Sequence, residues 1–176
     1  MGQKNIILTG FMGTGKTTVG TLLAKNLGYD FVDTDQLIEE KCGMSIPSFF
    51  KKKGETAFRE MERAVAKELG EQSSLVIATG GGFMLDPVNA EILGKSGPVF
   101  CLVAAPEEII ERISRDSGAD RPLLQVENPR GRIVELLRER QEGYAQFPQL
   151  ITSDKTPSQI VEELIQLLQD SVQEYP

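Results

Sequence analysis

Histidine and tryptophan are absent from the 176 residues, and cysteine occurs only twice, at Cys42 and Cys101. The lack of histidine excludes histidine-based acid–base catalysis, a Ser-His-Asp triad and an HExxH zinc site. The two cysteines form no CxxC pair, and Cys101 falls in an apolar run, so we expect reduced thiols rather than a disulfide. Carboxylates, lysine and arginine must therefore carry any chemistry.

Positive charge and long apolar runs are also scarce. Lysine and arginine number 19 against 26 acidic residues, a net charge of −7. This balance argues against a broad electropositive face for nucleic acid. No apolar run approaches the roughly 20 residues of a membrane span, and no signal-peptide pattern precedes the first strand. We expect a cytoplasmic protein that binds neither nucleic acid nor membrane.

Short β-branched runs alternate with segments of helical period along the chain. The runs expected to be strands are residues 5–9, 29–33, 75–79, 98–103 and 150–152. Their alternation with helices predicts an α/β fold, a parallel sheet covered by helices on both faces, in a single domain over residues 1–176. Ligands of such sheets bind beyond the carboxyl ends of the strands. Polar motifs follow the first three strands, so they are expected to share one crevice.

Residues 10–17, GFMGTGKT, match the phosphate-binding pattern GxxxxGK[ST]. Glycine allows the backbone to fold around phosphates with its N–H groups pointing inward. Lys16 is expected to bind the β- and γ-phosphates, and the Thr17 hydroxyl to be a ligand of Mg²⁺. A buried strand before the motif and an amphipathic helix after it favour the same interpretation. The predicted ATP contacts in this segment are Gly13, Thr14, Gly15, Lys16, Thr17 and Thr18.

Two aspartates, Asp33 and Asp35, stand at the end of the second predicted strand. If strand geometry persists, both side chains face the crevice. Since two carboxylates beside a phosphate repel it, we assign them different tasks. Asp33 is expected to hold Mg²⁺ through water, and Asp35 to bind and deprotonate an attacking hydroxyl. The alternative is that either aspartate only caps the following helix.

The third predicted strand leads into three consecutive glycines, residues 80–82. Such a run is entropically costly, and a close approach of the backbone to a ligand explains it, with a plain glycine-rich turn as the alternative. Three arginines, Arg59, Arg121 and Arg140, are candidate anion contacts. Spacing alone predicts them only as surface side chains, although the polar segment around Arg121 is suited to open and close as a lid.

Taken together, these motifs resemble shikimate kinase, in register over residues 6–144 and more weakly beyond. The resemblance rests on seven blocks in the same order: residues 10–17, 31–35, 43–50, 54–62, 78–82, 121–124 and 139–140. One departure follows Arg140, where the family usually continues Pro-Leu-Tyr and this chain reads Gln-Glu-Gly-Tyr, so that only Tyr144 is retained.

The resemblance implies a P-loop fold of the nucleoside-monophosphate-kinase type with a five-stranded parallel sheet, a substrate-binding segment at about residues 34–62 and a lid at about 112–124. It implies ATP-dependent phosphorylation of the shikimate 3-hydroxyl, giving shikimate 3-phosphate and ADP, in the biosynthesis of chorismate and aromatic amino acids. Mg²⁺ is the implied cofactor. Shikimate and ATP are the implied small-molecule partners, and we expect a monomer.

The resemblance also assigns roles to single residues. Shikimate is expected to contact Asp35, Arg59, Gly81 and Arg140, with the two arginines on its carboxylate. The expected catalytic residues are Lys16, Asp35 and Arg121, of which Lys16 and Arg121 stabilise the transferring phosphoryl group. Arg112 is expected against the adenine, with residues 153–157 completing that pocket, while Phe50 and Phe58 wall the substrate ring.

Two other classes of function remain open on the sequence. A gluconate kinase on the same scaffold would also bind a hydroxylated carboxylate, but such enzymes typically carry histidine in the substrate segment. A non-catalytic nucleotide-binding regulator would be favoured by loss of Lys16, Asp35 or Arg121, and all three are present.

Overall fold

The computed structural model describes residues 4–115 and 126–173. In chain order the elements are β1 (Ile6–Thr9), α1 (Lys16–Leu27), β2 (Asp30–Asp33), α2 (Thr34–Cys42), α3 (Ile46–Gly70), β3 (Leu75–Ala78), a 3-10 turn (Phe83–Leu85), α4 (Pro87–Ser96), β4 (Val99–Val103), α5 (Pro106–Arg115), α6 (Pro129–Ala145), β5 (Gln149–Ile151) and α7 (Pro157–Gln173). Each strand begins and ends within one residue of its predicted range.

The five strands form one sheet in the order β2-β3-β1-β4-β5, and every pairing is parallel. This confirms the predicted α/β architecture. The central strand is β1, in which Ile7 pairs with Ile77 on one side and Val99 on the other. Since all strands run the same way, the motifs that follow β1, β2 and β3 emerge at one edge of the sheet.

Helices cover both faces of the sheet, which explains why its central strands are apolar at every position. Ile7 packs against Leu69 and Leu93, in a cluster formed with α3 and α4. Its neighbour Leu8 points to the opposite face and packs in the cluster of Leu23 and Leu164, from α1 and α7. Successive strand residues therefore enter two different cores.

Helix α3 is bent at Gly54, whose backbone leaves the helical region with φ 80° and ψ 175°. A Cβ atom there would meet no other atom within 4 Å, so the conformation itself is what requires glycine. The bend brings the ring of Phe50, in the first part of the helix, next to the ring of Phe58 in the second part, with 4.6 Å between the ring centroids. Along the described ranges, no helix is both long and apolar enough to cross a membrane.

The opposite edge of the sheet is fixed by the fully buried Asn5. Its amide nitrogen donates to the Leu69 and Gln72 carbonyls at 3.2 and 3.0 Å, and its Oδ1 accepts from the Leu75 N–H at 3.0 Å. The side chain thus joins the start of β1 to the end of α3 and the start of β3. Close packing continues on the backbone side, where a Cβ atom at Gly97 would overlap the Asn5 carbonyl.

We expect Gly97→Ala to lower the free energy of unfolding by about 3 kcal/mol, because the added methyl group meets main-chain atoms that cannot move aside cheaply. Gly94→Ala is the matched control, since this glycine lies in α4 and a Cβ atom there meets nothing within 4 Å. The free energy of unfolding of this control is expected to rise by about 0.8 kcal/mol, because alanine has a higher helix propensity than glycine. Urea denaturation of both variants measures the two values, and equal values would contradict the packing argument.

Candidate active site

The loop between β1 and α1 requires its glycines for two different reasons, close packing at Gly10 and backbone conformation at Gly15. Gly10, Gly13 and Gly15 all have positive φ values, of 129°, 76° and 97°. A Cβ atom at Gly10 would overlap the Leu102 carbonyl of β4, so this glycine permits close packing against the neighbouring strand. At Gly15 there is open space, and the left-handed conformation is the reason for glycine there.

Helix α1 begins at Lys16 with no side chain capping its first turn. Four other helices are capped by Asp33, Ser45, Asp86 and Asn128. The unpaired N–H groups and the helix dipole make such a start suitable for an anion. Thr14 next to it is buried and donates to the Phe11 carbonyl at 2.7 Å, which stabilises the turn of the loop. Thr17 and Thr18 are exposed at the start of the helix.

The Lys16 ammonium group lies inside the loop and donates to the Gly10 and Phe11 carbonyls at 2.7 and 2.8 Å. Burial lowers the pKa of Lys16 to about 8, although the nearby charges of Asp35 and Asp33 act in the opposite direction. A lysine with this pKa remains mostly protonated at neutral pH.

The two aspartates do not extend the strand as predicted, because β2 ends at Asp33 and helix α2 starts at Thr34. Asp33 caps this helix, with its Oδ1 accepting from the Asp35 and Gln36 N–H groups at 3.0 and 3.3 Å. Its Oδ2 accepts from the Thr17 hydroxyl at 3.1 Å. Asp33 therefore caps α2 with one carboxylate oxygen and contacts the start of α1 with the other, so capping is not its only contact.

Asp35 lies in the first turn of α2 and faces the crevice. Burial and, after it, the charge of Asp33 raise its pKa to about 6, although the charge of Lys16 acts in the opposite direction. A carboxyl group with this pKa is ionised in most molecules at neutral pH, yet it is a stronger proton acceptor than an ordinary aspartate.

The three glycines after β3 each lie against a different side chain of the crevice. A Cβ atom at Gly80 would overlap Asp35 Oδ1, one at Gly81 would lie 3.1 Å from Arg140 Nη1, and one at Gly82 would lie 3.2 Å from Arg59 Nη1. None of the three has a positive φ, so space and not conformation is what requires glycine here. Asp35, Arg59 and Arg140 therefore converge on this turn.

Arg59 is held by two glutamates of its own helix. Its guanidinium pairs with Glu62 at 2.7 Å and with Glu55 at 3.3 Å. The Glu62 side chain is only 2% exposed, and burial raises its pKa while Arg59 lowers it. Burial lowers the pKa of Arg59, but the bonds to Glu62 and Glu55 outweigh this and raise it overall. Both terminal nitrogens of the guanidinium lie beside Gly82, 3.2 and 3.6 Å from where a Cβ atom of that residue would stand.

Arg140, in α6, lies with its guanidinium carbon 5.4 Å from the centre of the Phe11 ring. Among the described residues no carboxylate forms an ion pair with it, which differs from Arg59. Tyr144, one turn later, donates its hydroxyl hydrogen to the Gly81 carbonyl at 2.7 Å. Helix α6 continues to Ala145, so the departure in sequence after Arg140 leaves the helix unbroken and Tyr144 bonded to the glycine turn.

Arg112, in α5, lies at the far end of the loop. It donates to the Gly13 carbonyl at 3.3 Å and to the Thr152 side chain and carbonyl at 3.2 Å each. Thr152 Oγ1 in turn donates to the Thr14 carbonyl at 3.1 Å. Arg112 thereby connects the loop of residues 10–17 to the segment after β5, where the adenine is expected.

Arg121 and residues 116–124 of the expected lid lie outside the described residues. In the ranges that the structure covers, no cluster of three or more histidine, cysteine, aspartate or glutamate side chains is placed to hold a metal ion. The Thr17 hydroxyl and Asp33 Oδ2 lie 3.1 Å apart, and oxygens of this kind fit Mg²⁺, since this ion is commonly bound by one or two protein oxygens together with phosphates and water.

Sequence reasoning assigned no role to several polar residues that organise this crevice. The Thr34 hydroxyl accepts from the Gly80 N–H at 2.9 Å and so joins α2 to the glycine turn. Neither this residue nor Thr152 shows any signal in the sequence, because both contacts cross long chain separations. Glu62, three residues after Arg59, was detectable as an ion pair from its helical spacing.

A family model described as shikimate kinase matches residues 12–169. A shikimate kinase from Caldanaerobacter subterraneus subsp. tengcongensis is 48% identical over 164 residues, which are 93% of this chain and 95% of that protein.

Solved structures give a similar result. A shikimate kinase from Acinetobacter baumannii in complex with shikimate is 40% identical and superimposes with a TM-score of 0.88, over 96% of this chain and 94% of that one. A gluconokinase from Sinorhizobium meliloti covers 98% of each chain with a TM-score of 0.59 but only 16% identity, a likeness that extends to the fold alone.

We expect Asp35→Asn to raise the free energy of unfolding by about 2 kcal/mol at pH 8, because it removes a carboxylate whose ionisation is unfavourable in the folded protein. Since the folded pKa is raised to about 6, the penalty is fully present above that pH and absent below the ordinary value near 4. Urea denaturation should therefore show a higher free energy of unfolding for Asp35→Asn than for the native chain at pH 8, but not at pH 4. Asp30→Asn, at an exposed position of β2, is the control and is expected to change little.

Proposed function

Because this chain belongs to the shikimate kinase family, it is an ATP-dependent phosphotransferase acting on shikimate, and we propose that the crevice at the carboxyl edge of the sheet is its catalytic site. The observation that carries this assignment is the glycine turn at residues 80–82. Asp35, Arg140 and Arg59 each lie against one of its glycines, so an acceptor held there meets one carboxylate and two guanidiniums.

The loop of residues 10–17 provides the donor half of the crevice. The uncapped start of α1 binds the phosphates of ATP through Gly13, Thr14, Gly15, Thr17 and Thr18. Lys16 exchanges its two carbonyl partners for phosphate oxygens and stabilises the negative charge of the transferring group. Thr17 directly and Asp33 through water would hold Mg²⁺, which would neutralise charge on the phosphates.

The acceptor half is built around Asp35. As a carboxylate whose pKa is about 6, it accepts the proton of the shikimate 3-hydroxyl as the oxygen attacks the γ-phosphorus of ATP. The products are shikimate 3-phosphate and ADP. Arg59 and Arg140 bind the shikimate carboxylate through paired N–H donors, and the Gly81 backbone lies next to it.

The aromatic rings of Phe50 and Phe58 form a wall for the carbocycle beside Arg59, whose guanidinium carbon is 5.6 Å from the centre of the Phe58 ring. We extend the proposal to a substrate segment at residues 34–62 and a lid at residues 112–124 within one kinase domain acting as a monomer. Arg121 completes the catalytic set when the lid closes over the transferring phosphoryl group.

The two rival functions are weaker on these observations. The gluconokinase from Sinorhizobium meliloti shares the fold but is only 16% identical to this chain. A regulator without transferase activity would not need a buried carboxylate, since its raised pKa makes it costly in the folded protein.

An assay of ADP release with different acceptors tests the function directly. Shikimate should stimulate release in the presence of ATP and Mg²⁺, whereas gluconate, quinate and nucleoside monophosphates should leave the background rate unchanged. Stimulation by gluconate in preference to shikimate would support the rival kinase. ATP binding without stimulation by any acceptor would support the regulator.

We expect Asp35→Asn to lower the turnover of shikimate by at least about a hundredfold, because the amide cannot accept the hydroxyl proton. ATP affinity, measured by calorimetry, should stay within about threefold of the native chain, since Asp35 contacts the acceptor and not the phosphates. Asp30→Asn again serves as the control and should retain native turnover. Near-native turnover of the Asp35 variant would overturn the assignment of this residue.

A further inference from the structure

Glu108, in the first turn of α5, binds both the segment after β5 and Arg112, one with each carboxylate oxygen. Its Oε1 accepts from the Asp154 N–H at 3.1 Å, in the segment after β5. Its Oε2 pairs with Arg112 Nη2, also at 3.1 Å. We propose that Glu108 is a positioning residue for the nucleotide base. This inference rests on the proposed function and on the expectation, implied by the family resemblance, that the adenine lies against Arg112 with residues 153–157 completing its pocket.

The segment after β5 needs such a support. Asp154 adopts a left-handed conformation with φ 57°, which is unfavourable for a residue other than glycine. The preceding residue, Ser153, accepts from the Ala105 N–H at 2.9 Å through its hydroxyl oxygen. Ser153 and Asp154 are thus both hydrogen-bonded to the start of α5. The bond to Asp154 is the charged one, because its acceptor is the Glu108 carboxylate.

Arg112 is fixed by the same carboxylate. One of its terminal nitrogens, Nη1, contacts Gly13 and Thr152, and Nη2 contacts Glu108 and the Thr152 carbonyl. A guanidinium bonded at both terminal nitrogens has little freedom to rotate. Planar cations of this kind stack on aromatic rings such as a nucleobase, so fixing the plane prepares the face on which the base lies.

The charge of Glu108 persists at the pH where the protein works. The hydrogen bond from the Asp154 amide, followed by Ser153 and Arg112, holds the pKa of Glu108 below its usual range. Its neighbour Glu107 also has a lowered pKa, through a 2.6 Å bond to Arg130. Glu107 joins α5 to the exposed start of α6 and, in the described part of the chain, forms no hydrogen bond or ion pair with the segment after β5, so it is a matched control on the adjacent position.

The test compares a ligand that has a base with one that has only phosphates. Calorimetry with ADP and with inorganic tripolyphosphate is performed on the native chain, Glu108→Gln and Glu107→Gln. We expect Glu108→Gln to weaken ADP binding roughly three- to tenfold, the effect of losing about one ordinary hydrogen bond, and to leave tripolyphosphate binding within about twofold. Glu107→Gln should match the native chain for both ligands.

Kinetics give a second readout that a merely structural role would not reproduce. In Glu108→Gln the KM for ATP should rise while the KM for shikimate stays within about twofold. Glu108→Asp keeps the charge on a shorter side chain that cannot reach both partners, and its ADP affinity should fall between the other two. Urea denaturation of each variant establishes that it is folded.

Two results would overturn the proposal. Equal weakening of ADP and tripolyphosphate would mean that Glu108 supports the phosphate loop and not the base. Native ADP affinity in both Glu108 variants would mean that it positions nothing. Neither ligand requires an acceptor, so a failure of shikimate to stimulate ADP release would count against the proposed function while leaving this measurement intact.

Discussion

The parallel pairing of β1 with both β3 and β4 is the constraint on which this structure depends. Parallel strands deliver their following loops to the same edge of the sheet, so the glycine loop after β1, the aspartates after β2 and the glycine turn after β3 are brought together by strand direction alone. The pairing in turn depends on Ile7 and Leu8 being buried on opposite faces, each in a different helical layer. The catalytic crevice is therefore a consequence of how the core is filled.

Close packing at the turn of residues 80–82 provides the second level of organisation. Three side chains from α2, α3 and α6 reach this turn, and each takes up the volume in which a side chain would otherwise stand. Hydrogen bonds from the Gly80 N–H to Thr34 and from Tyr144 to the Gly81 carbonyl then fix the turn itself. The absence of side chains on this turn therefore shapes the proposed acceptor site, because a Cβ atom added at any of the three glycines would crowd Asp35, Arg140 or Arg59.

Most of the fold could be predicted from the sequence, because strands buried on both faces produce apolar runs that stand out from the amphipathic helices between them. The phosphate loop was equally clear, since few other structures require its pattern of glycines and lysine. Asp33 and Asp35 were predicted to share a strand face, and this was wrong because Asp33 stops the strand by capping α2. Contacts such as Thr152 with the Thr14 carbonyl could not be predicted, since 138 residues separate the partners and neither has a distinctive neighbour.

The bonds between Lys16 and the carbonyls of its own loop have a consequence for the energetics of ATP recognition. The ammonium group already has two good acceptors before any nucleotide arrives, at 2.7 and 2.8 Å. On the proposed function, ATP binding is an exchange of partners, in which Lys16 gains the difference between a phosphate oxygen and a carbonyl oxygen. That difference would grow as negative charge accumulates on the transferring group, so the proposed role of this lysine is larger in the transition state than in the ground state.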